Sequence, residues 1–316
     1  MMKQVLPATL AALLTLLLVT AVWVQEQKAD DWVSVPAPTV SETDATELAN
    51  TIDDFYGHLM DRRWTEAMDM VAPAGHEAAE AHGLFLAKND RILGAVPYTA
   101  PRFVGPNVIE FASLVTWERR WRVEENMPGK RQDRVERAYF DATDGDHLIW
   151  LGRGGPEMDI FSIPTNAVNF FILSALSGRT DGVRPFRGNQ LMALVSSQWP
   201  GFERGEEGVF ETIDSWRAEQ VSAYGQRRRD RDIAMPYASF VGLHGEDAVV
   251  EREVLYVDEA RDSSTVVTYR CRLVNETTRY DPEPSEGWPY PWKLAEIRVA
   301  ETSPVAVAPA ETDGNK

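Results

Sequence analysis

Five histidines, one cysteine and a few acid clusters are the side chains in this sequence that could carry chemistry, and their spacing limits what they can do. His76-Glu77-Ala78-Ala79-Glu80-Ala81-His82 has the composition of a metal-binding helix without its spacing. Six helical residues turn about 600°, so the two histidines point to different faces and cannot share an ion; only His76 and Glu80 share a face. A solvated helix accounts for the run. His58, His147 and His244 are scattered elsewhere. Asp141, Asp144 and Asp146 bracket Gly145, but the spacing misses the calcium-loop pattern and its terminal Glu, which leaves a hairpin turn. Gly152-Arg153-Gly154-Gly155 lacks the Lys-Ser/Thr of a phosphate loop, and Ser113, Ser162 and Ser239 lie in no G-x-S-x-G elbow. The sequence assigns no catalytic residue, and neither a metal nor a cofactor is expected.

Cys271 falls on the apolar side of an alternating strand and reads as an inert core thiol, since reactivity needs an exposed, electropositive setting. Two segments carry recognition chemistry instead. Arg227-Arg228-Arg229-Asp230-Arg231-Asp232 offers guanidinium groups to an acidic partner or a phosphate, although the alternating aspartates also fit a solvated, ion-paired loop. In Trp288-Pro289-Tyr290-Pro291-Trp292 the prolines keep the chain extended. The three rings then either cover a sheet edge or form a partner- or sugar-binding surface. Trp288, Tyr290, Trp292, Arg227, Arg228 and Arg229 are therefore the candidate ligand- or partner-binding residues.

The segment that decides where such chemistry takes place is residues 5–24, twenty residues without a formal charge. As a helix they span about 30 Å, enough for a bilayer core. Two readings stand: an uncleaved anchor, with Trp23 at the interface, or a signal peptide with Val19-Thr20-Ala21 as an imperfect cleavage site. Lys3 before the run and Glu26, Asp30 and Asp31 after it orient both readings alike, with the bulk of the chain exported. No cysteine lies near the end of the run, so a lipoprotein site is excluded.

The net charge of −17 argues against nucleic acid and against adsorption to anionic lipid. At 44% hydrophobic and 26% charged, the rest is a globular chain able to bury a core. A single cysteine permits no intrachain disulfide, which in an exported chain points to a bacterial envelope. Asn275-Glu276-Thr277 is then a chance match to the glycosylation triplet.

The elements that must position these residues follow from periodicity. Residues 25–40, with Pro36 and Pro38, read as a linker. Ser41 or Thr43 opens a helix whose stripe is Leu48, Ile52, Phe55 and Leu59. Arg62 and Arg63 interrupt it, and Trp64, Ala67, Met68 and Val71 resume in a short second helix. Residues 76–90 suggest a third. Strands are predicted at 108–125 and 131–141 about a turn at Asn126-Met127-Pro128-Gly129, a register that opposes Arg119 to Glu136 and Glu118 to Arg137. A short strand at 147–151 follows. Pro164-Thr165-Asn166 caps an apolar helix through Leu176, too short to span a bilayer, and a second covers 189–198. A helix at 210–224 precedes strands at 237–242, 248–257, 264–275 and 293–300. A turn at 259–262 opposes Glu251 to Arg270 and Val249 to Arg272. Helices followed by antiparallel strands thus occur twice, which predicts an α+β fold. The division is an anchor or signal at 1–24, a linker at 25–40, an α+β unit at 41–155, a helical connector at 156–200, a second α+β, mostly β, unit at 201–301 and a disordered tail at 302–316.

The run Ile52-Asp53-Asp54-Phe55-Tyr56-Gly57-His58-Leu59-Met60-Asp61-Arg62-Arg63-Trp64-Thr65-Glu66-Ala67-Met68 resembles the opening helices of the nuclear-transport-factor-2-like superfamily. The Trp292-Lys293-Leu294 start of the last strand is similar to that superfamily's closing strand. The resemblance implies a cone-shaped fold whose helices close a concave, curved sheet, here in one or two copies. That fold hosts isomerases, dehydratases, ligand carriers and assembly subunits, including membrane-anchored subunits of bacterial conjugation and secretion machines. The expectation is an exported, membrane-tethered envelope protein, inner-membrane anchored and facing the periplasm or extracellular side, or secreted if cleaved near Ala21. It would bind or scaffold protein partners of the envelope. The alternatives are an isomerase- or hydrolase-type enzyme using the cone's cavity, and an exported small-ligand or glycan binder.

Overall fold

The computed structural model describes residues 32–72, 91–119, 130–143, 145, 148–151, 163–177, 188–227, 238–278 and 292–305. The protein is α+β, with two antiparallel sheets, each preceded in the chain by helices.

In the first half, Ser41 caps helix α1 (Glu42–Met60) by accepting from the Asp44 amide at 3.1 Å. The helix buries Leu48, Ile52, Phe55 and Tyr56, one stripe at helical spacing. Arg62, at φ 60°, breaks it, and α2 (Trp64–Asp69) adds Ala67 to the same core. The stripe covers one face of a sheet made by β2 (Arg91–Pro97), β4 (Val108–Arg119), β5 (Lys130–Asp141) and β6 (Trp150–Leu151), in that order, with β3 (Arg102–Gly105) also paired to β4. Strand alternation puts Ile109, Phe111, Val115 and Trp117 beneath α1, beside Ala138 and Phe140.

In the second half, α3 (Pro164–Ser177) and α4 (Gly188–Leu194), together with α5 (Glu206–Tyr224), pack on a sheet ordered β1-β8-β9-β10-β11. These strands are β1 (Val35–Pro36), β8 (Ser239–His244), β9 (Asp247–Asp258), β10 (Ser263–Asn275) and β11 (Trp292–Val305), with β7 (Gln226–Arg227) paired to the far end of β9. The shared core takes Val168, Phe171 and Ile172 from α3, Met192 and Leu194 from α4, and Val250, Val254, Val267 and Cys271 from the sheet. The segments read as a connector are thus part of this core. Register shifts at Thr268/Tyr269 and Arg272/Leu273 mark bulges, which bend and twist a strand.

The hairpin at 259–262 has the expected register, with Arg270 opposite Glu251 and Arg272 opposite Val249. The first hairpin does not: Glu118 faces Arg131, while Glu136 faces Ser113 and Arg137 faces Ala112. Its strands pair symmetrically about a point near residues 124–125, three residues before the centre of the Asn-Met-Pro-Gly run that set the expectation. Strands β2 and β3 appear where no strand was expected. Strand β1 lies within the stretch read as a linker, and β11 runs on to Val305, beyond the expected start of the tail. The candidate span at 5–24, the helix at 76–90 and residues 306–316 lie outside the described residues. Among the described residues no helix is long and apolar enough to cross a membrane.

The halves meet through β3 and α3. Arg102 donates to Glu110 Oε1 from Nε at 3.2 Å and from Nη2 at 3.1 Å, and reaches Ser239 Oγ on β8 at 3.5 Å. Arg137 holds the other Glu110 oxygen at 3.3 Å. Asn166 donates to the Tyr139 hydroxyl at 3.3 Å. Gly105 lies so close to Pro164 that a Cβ there would sit 2.9 Å from the proline ring.

Candidate functional site

Helix α5 turns a single stripe toward the second sheet: Val209, Ile213, Trp216, Gln220 and Tyr224 recur every three or four residues. The stripe is apolar at its start and polar at its end. The sheet matches it, because β9 and β10 alternate so that Arg252 faces Tyr269 and Val250 faces Cys271 on the covered side. At the polar end the Tyr256 hydroxyl lies 2.7 Å from that of Tyr269, which donates to Gln220 Oε1 at 2.9 Å. Each phenol has one proton, so Tyr256 must donate to Tyr269. Arg227, opposite Tyr256 on β7, closes the row.

The electrostatics follow from burial. Desolvation pushes the Tyr256 phenol up to about 12, partly opposed by its hydrogen bond to Tyr269. Desolvation also pushes Tyr269 up, and Tyr256 adds to it. Both remain protonated donors at neutral pH. Arg227 is drawn below its usual value by burial, against the pull of Tyr256. Cys271 is buried, and desolvation raises its thiol, so it is not nucleophilic near neutrality. Around this row the interior is filled with rings. Phe171 lies 5.2 Å from Trp199 and 6.4 Å from Trp216, Trp216 lies 5.4 Å from Tyr269, and Tyr224 lies 5.7 Å from Tyr256.

The first half repeats the motif with other residues. On the α1 side of its sheet, Glu136 accepts from the Trp117 indole at 2.8 Å and from the Tyr56 hydroxyl at 3.2 Å. Open space lies elsewhere. Two adjoining grooves of about 510 and 860 Å³ run along the outer side of α5, sharing Arg204 and Glu211 and lined also by Glu207, Asp214 and Glu219. Arg204 pairs with Glu211, and Arg217 with Asp214 at 3.0 Å.

Of the residues singled out in the sequence, Arg227 borders the phenol row and Trp292 begins β11, where it is buried in the second core. They are not brought together. Arg227 lies level with Tyr256 and hence Thr265, whereas Trp292 pairs with Asn275 at the other end of β10. Ten residues of strand, about 33 Å, separate those levels. Arg228, Arg229, Trp288 and Tyr290 lie outside the described residues, as do His76, His82, His147 and residues 152–155. Among the described residues no group of three or more His, Cys, Asp or Glu could hold a metal ion. Sequence reasoning passed over Gln220, Tyr256 and Glu136; the α5 spacing and the placement of Tyr269 on the apolar side of its strand were the available signals.

No protein-family model matches the chain, and no curated protein matches it either.

Proposed function

We propose that this is an exported, membrane-tethered protein of a bacterial envelope that binds or scaffolds protein partners, rather than an enzyme. In this reading residues 5–24 form the tether and each half is a nuclear-transport-factor-2-like cone. One observation carries it: the side of each sheet that would hold a substrate in such a cone is occupied by packed rings. Phe55, Tyr56, Phe111, Trp117 and Phe140 fill the first, and Phe171, Trp199, Trp216, Tyr256 and Tyr269 the second. The polar groups among them spend their hydrogen bonds on one another, as Tyr256, Tyr269 and Gln220 do, and as Tyr56, Trp117 and Glu136 do. Polar groups satisfied in this way fix a core's geometry and are not poised for proton transfer.

Fractionation, protease treatment of spheroplasts and chemical cross-linking together test the proposal. The full chain is expected in the membrane pellet, cleaved by protease added from outside, and cross-linked to other envelope proteins. A soluble product beginning at Val22 would replace the tether with a cleaved signal. Cytoplasmic recovery, or a chain that stays monomeric under cross-linking, refutes the reading.

A further inference from the structure

Residues 32–37 are not a free linker but a strap on the second half. The Ser34 amide and hydroxyl both donate to the Leu243 carbonyl, at 2.7 and 2.9 Å, and the Ala37 amide donates to Val241 at 3.0 Å. The Gly245 amide returns a bond to Ser34 Oγ at 3.1 Å. Trp32, only 7% exposed, lies under the Arg298 guanidinium, 4.3 Å from its ring centroid. Arg298 pairs with Arg270 on β10, and Arg270 alternates with Tyr269 and Cys271, so its side chain stands on the side of the sheet away from α5. The strap therefore crosses the outer face of the second sheet before the chain enters the first half.

We infer that this outer face, with the β8–β9 turn at its edge, is the surface presented to the lipid bilayer, and that the first half is the one held away from it. The inference rests on the tether reading above. Only seven residues, eight Cα-to-Cα steps, separate Val24 from Trp32. Whatever their conformation, they reach at most about 29 Å. Trp32 is pinned, so the second half cannot swing out on the whole length of residues 25–40, as it could were they free. Most of the charge on this face is paired: Arg270 with Glu251 at 2.6 Å, and Arg272 with Asp247 at 2.6 Å and with Glu296 at 3.7 Å, while Glu253 and Glu301 are exposed on the same side, so the face is held near the bilayer by the short link and not by attraction to anionic lipid.

The test is energy transfer from single labelled cysteines to acceptor-labelled lipid, with the full chain in liposomes of neutral and anionic phospholipid. Glu246→Cys places the donor in the β8–β9 turn, and Asp53→Cys places it on the exposed side of α1; Cys271 is buried and serves as the unlabelled background. Transfer from position 246 is expected to exceed that from position 53 at least twofold. Equal or reversed efficiencies overturn the inference while leaving the tether standing. A chain that does not float with the liposomes removes the tether and the orientation with it. Gly242→Ala, which forces the strap off β8, is expected to bring the two efficiencies together without loss of flotation; a difference that survives strap release also overturns the inference.

Discussion

Gly242→Ala is the sharpest single perturbation of this molecule, because the strap lies directly on that residue. Gly242 has φ 149°, and a Cβ added there would meet the Val35 carbonyl oxygen at 2.2 Å, Val33 Cγ1 at 2.7 Å and Pro36 Cα at 3.0 Å. Two of these are backbone atoms of the strap, so no side-chain rotation relieves the contact. The strap's own energetics are close to balance. Its four hydrogen bonds contribute about 4 kcal/mol at about 1 kcal/mol each. Burial of Trp32 and its contact with Arg298 add about 3 kcal/mol. Ordering six residues costs about 8 kcal/mol. A backbone conformation unfavourable to alanine costs about 1–3 kcal/mol, and the overlap adds to it, so the strap opens while the sheet stays folded. Hydrogen–deuterium exchange reads this directly. The Ser34 and Ala37 amides are expected to lose the protection they have and to exchange at the rate of an unstructured chain, with the amides of Leu48 and Ile52 in α1 unchanged. Gly245→Ala is the control: it also has positive φ, 63°, but its Cβ meets nothing within 4 Å. Unchanged protection at Ser34 and Ala37 in Gly242→Ala would refute the reasoning.

Three further outcomes are expected. Glu110→Ala leaves Arg102 and Arg137 without the buried carboxylate they share and is expected to cost about 3 kcal/mol, read as a lower urea midpoint; a loss under about 1 kcal/mol would mean the arginines simply re-solvate. Stability is expected to fall at alkaline pH. Tyr256 is raised from 10 to about 12 in the folded protein, so its stabilising contribution is complete below pH 10 and disappears as pH rises toward 12, at about 1.4 kcal/mol per pH unit for each retained proton. Tyr256→Phe should flatten that slope in pH-dependent urea titrations, and an unchanged slope would place the effect elsewhere. Cys271 is expected to resist an aromatic disulfide reagent at pH 8 until denaturant is added, whereas stoichiometric reaction of the native protein would contradict its burial.

The parts of the fold that the sequence made legible are those governed by one local rule. Helix α1 announces itself through Leu48, Ile52 and Phe55 and through a capping serine. The β9–β10 hairpin is readable because Val267, Tyr269, Cys271 and Leu273 alternate without interruption up to a tight turn. Strands β2 and β3 are short and carry Gly94, Pro97 and Gly105, so turn chemistry masks them; their pairing with β4 supplies what local preference does not. The first hairpin shows the same limit. Its Asn-Met-Pro-Gly run set the expected register, whereas the observed one places Phe140 opposite Ile109 and Ala138 opposite Phe111 in the core beneath α1, a match between strands that turn chemistry does not encode. Composition was enough to select Arg227 and Trp292 for the candidate site. Their separation along β10 depends on register, as does the pairing of Tyr256 with Arg227, so neither could be read from spacing alone.

The strap also explains why the two halves belong to one structure rather than to two beads on a thread. Ser34 and its partner Leu243 are 209 residues apart. Closing a flexible loop of that length would cost about 5 kcal/mol beyond a constant, which a two-residue strand with nearly balanced energetics could not supply. The folded first half removes most of that cost. It begins immediately after the strap, with Ser41 capping α1, and returns the chain to the second half through the Glu110 cluster, the Gly105–Pro164 contact and the Tyr139–Asn166 bond. The strap is thus delivered to β8 by a rigid spacer and not by a loop. By linkage the dependence would run both ways: loosening the Glu110 cluster is expected to weaken the strap, and releasing the strap to loosen the contact between the halves. If residues 5–24 tether the chain as proposed, force or crowding at the bilayer would reach the first half through that contact, about a hundred residues from the membrane in sequence but adjacent to the strap's own sheet in space.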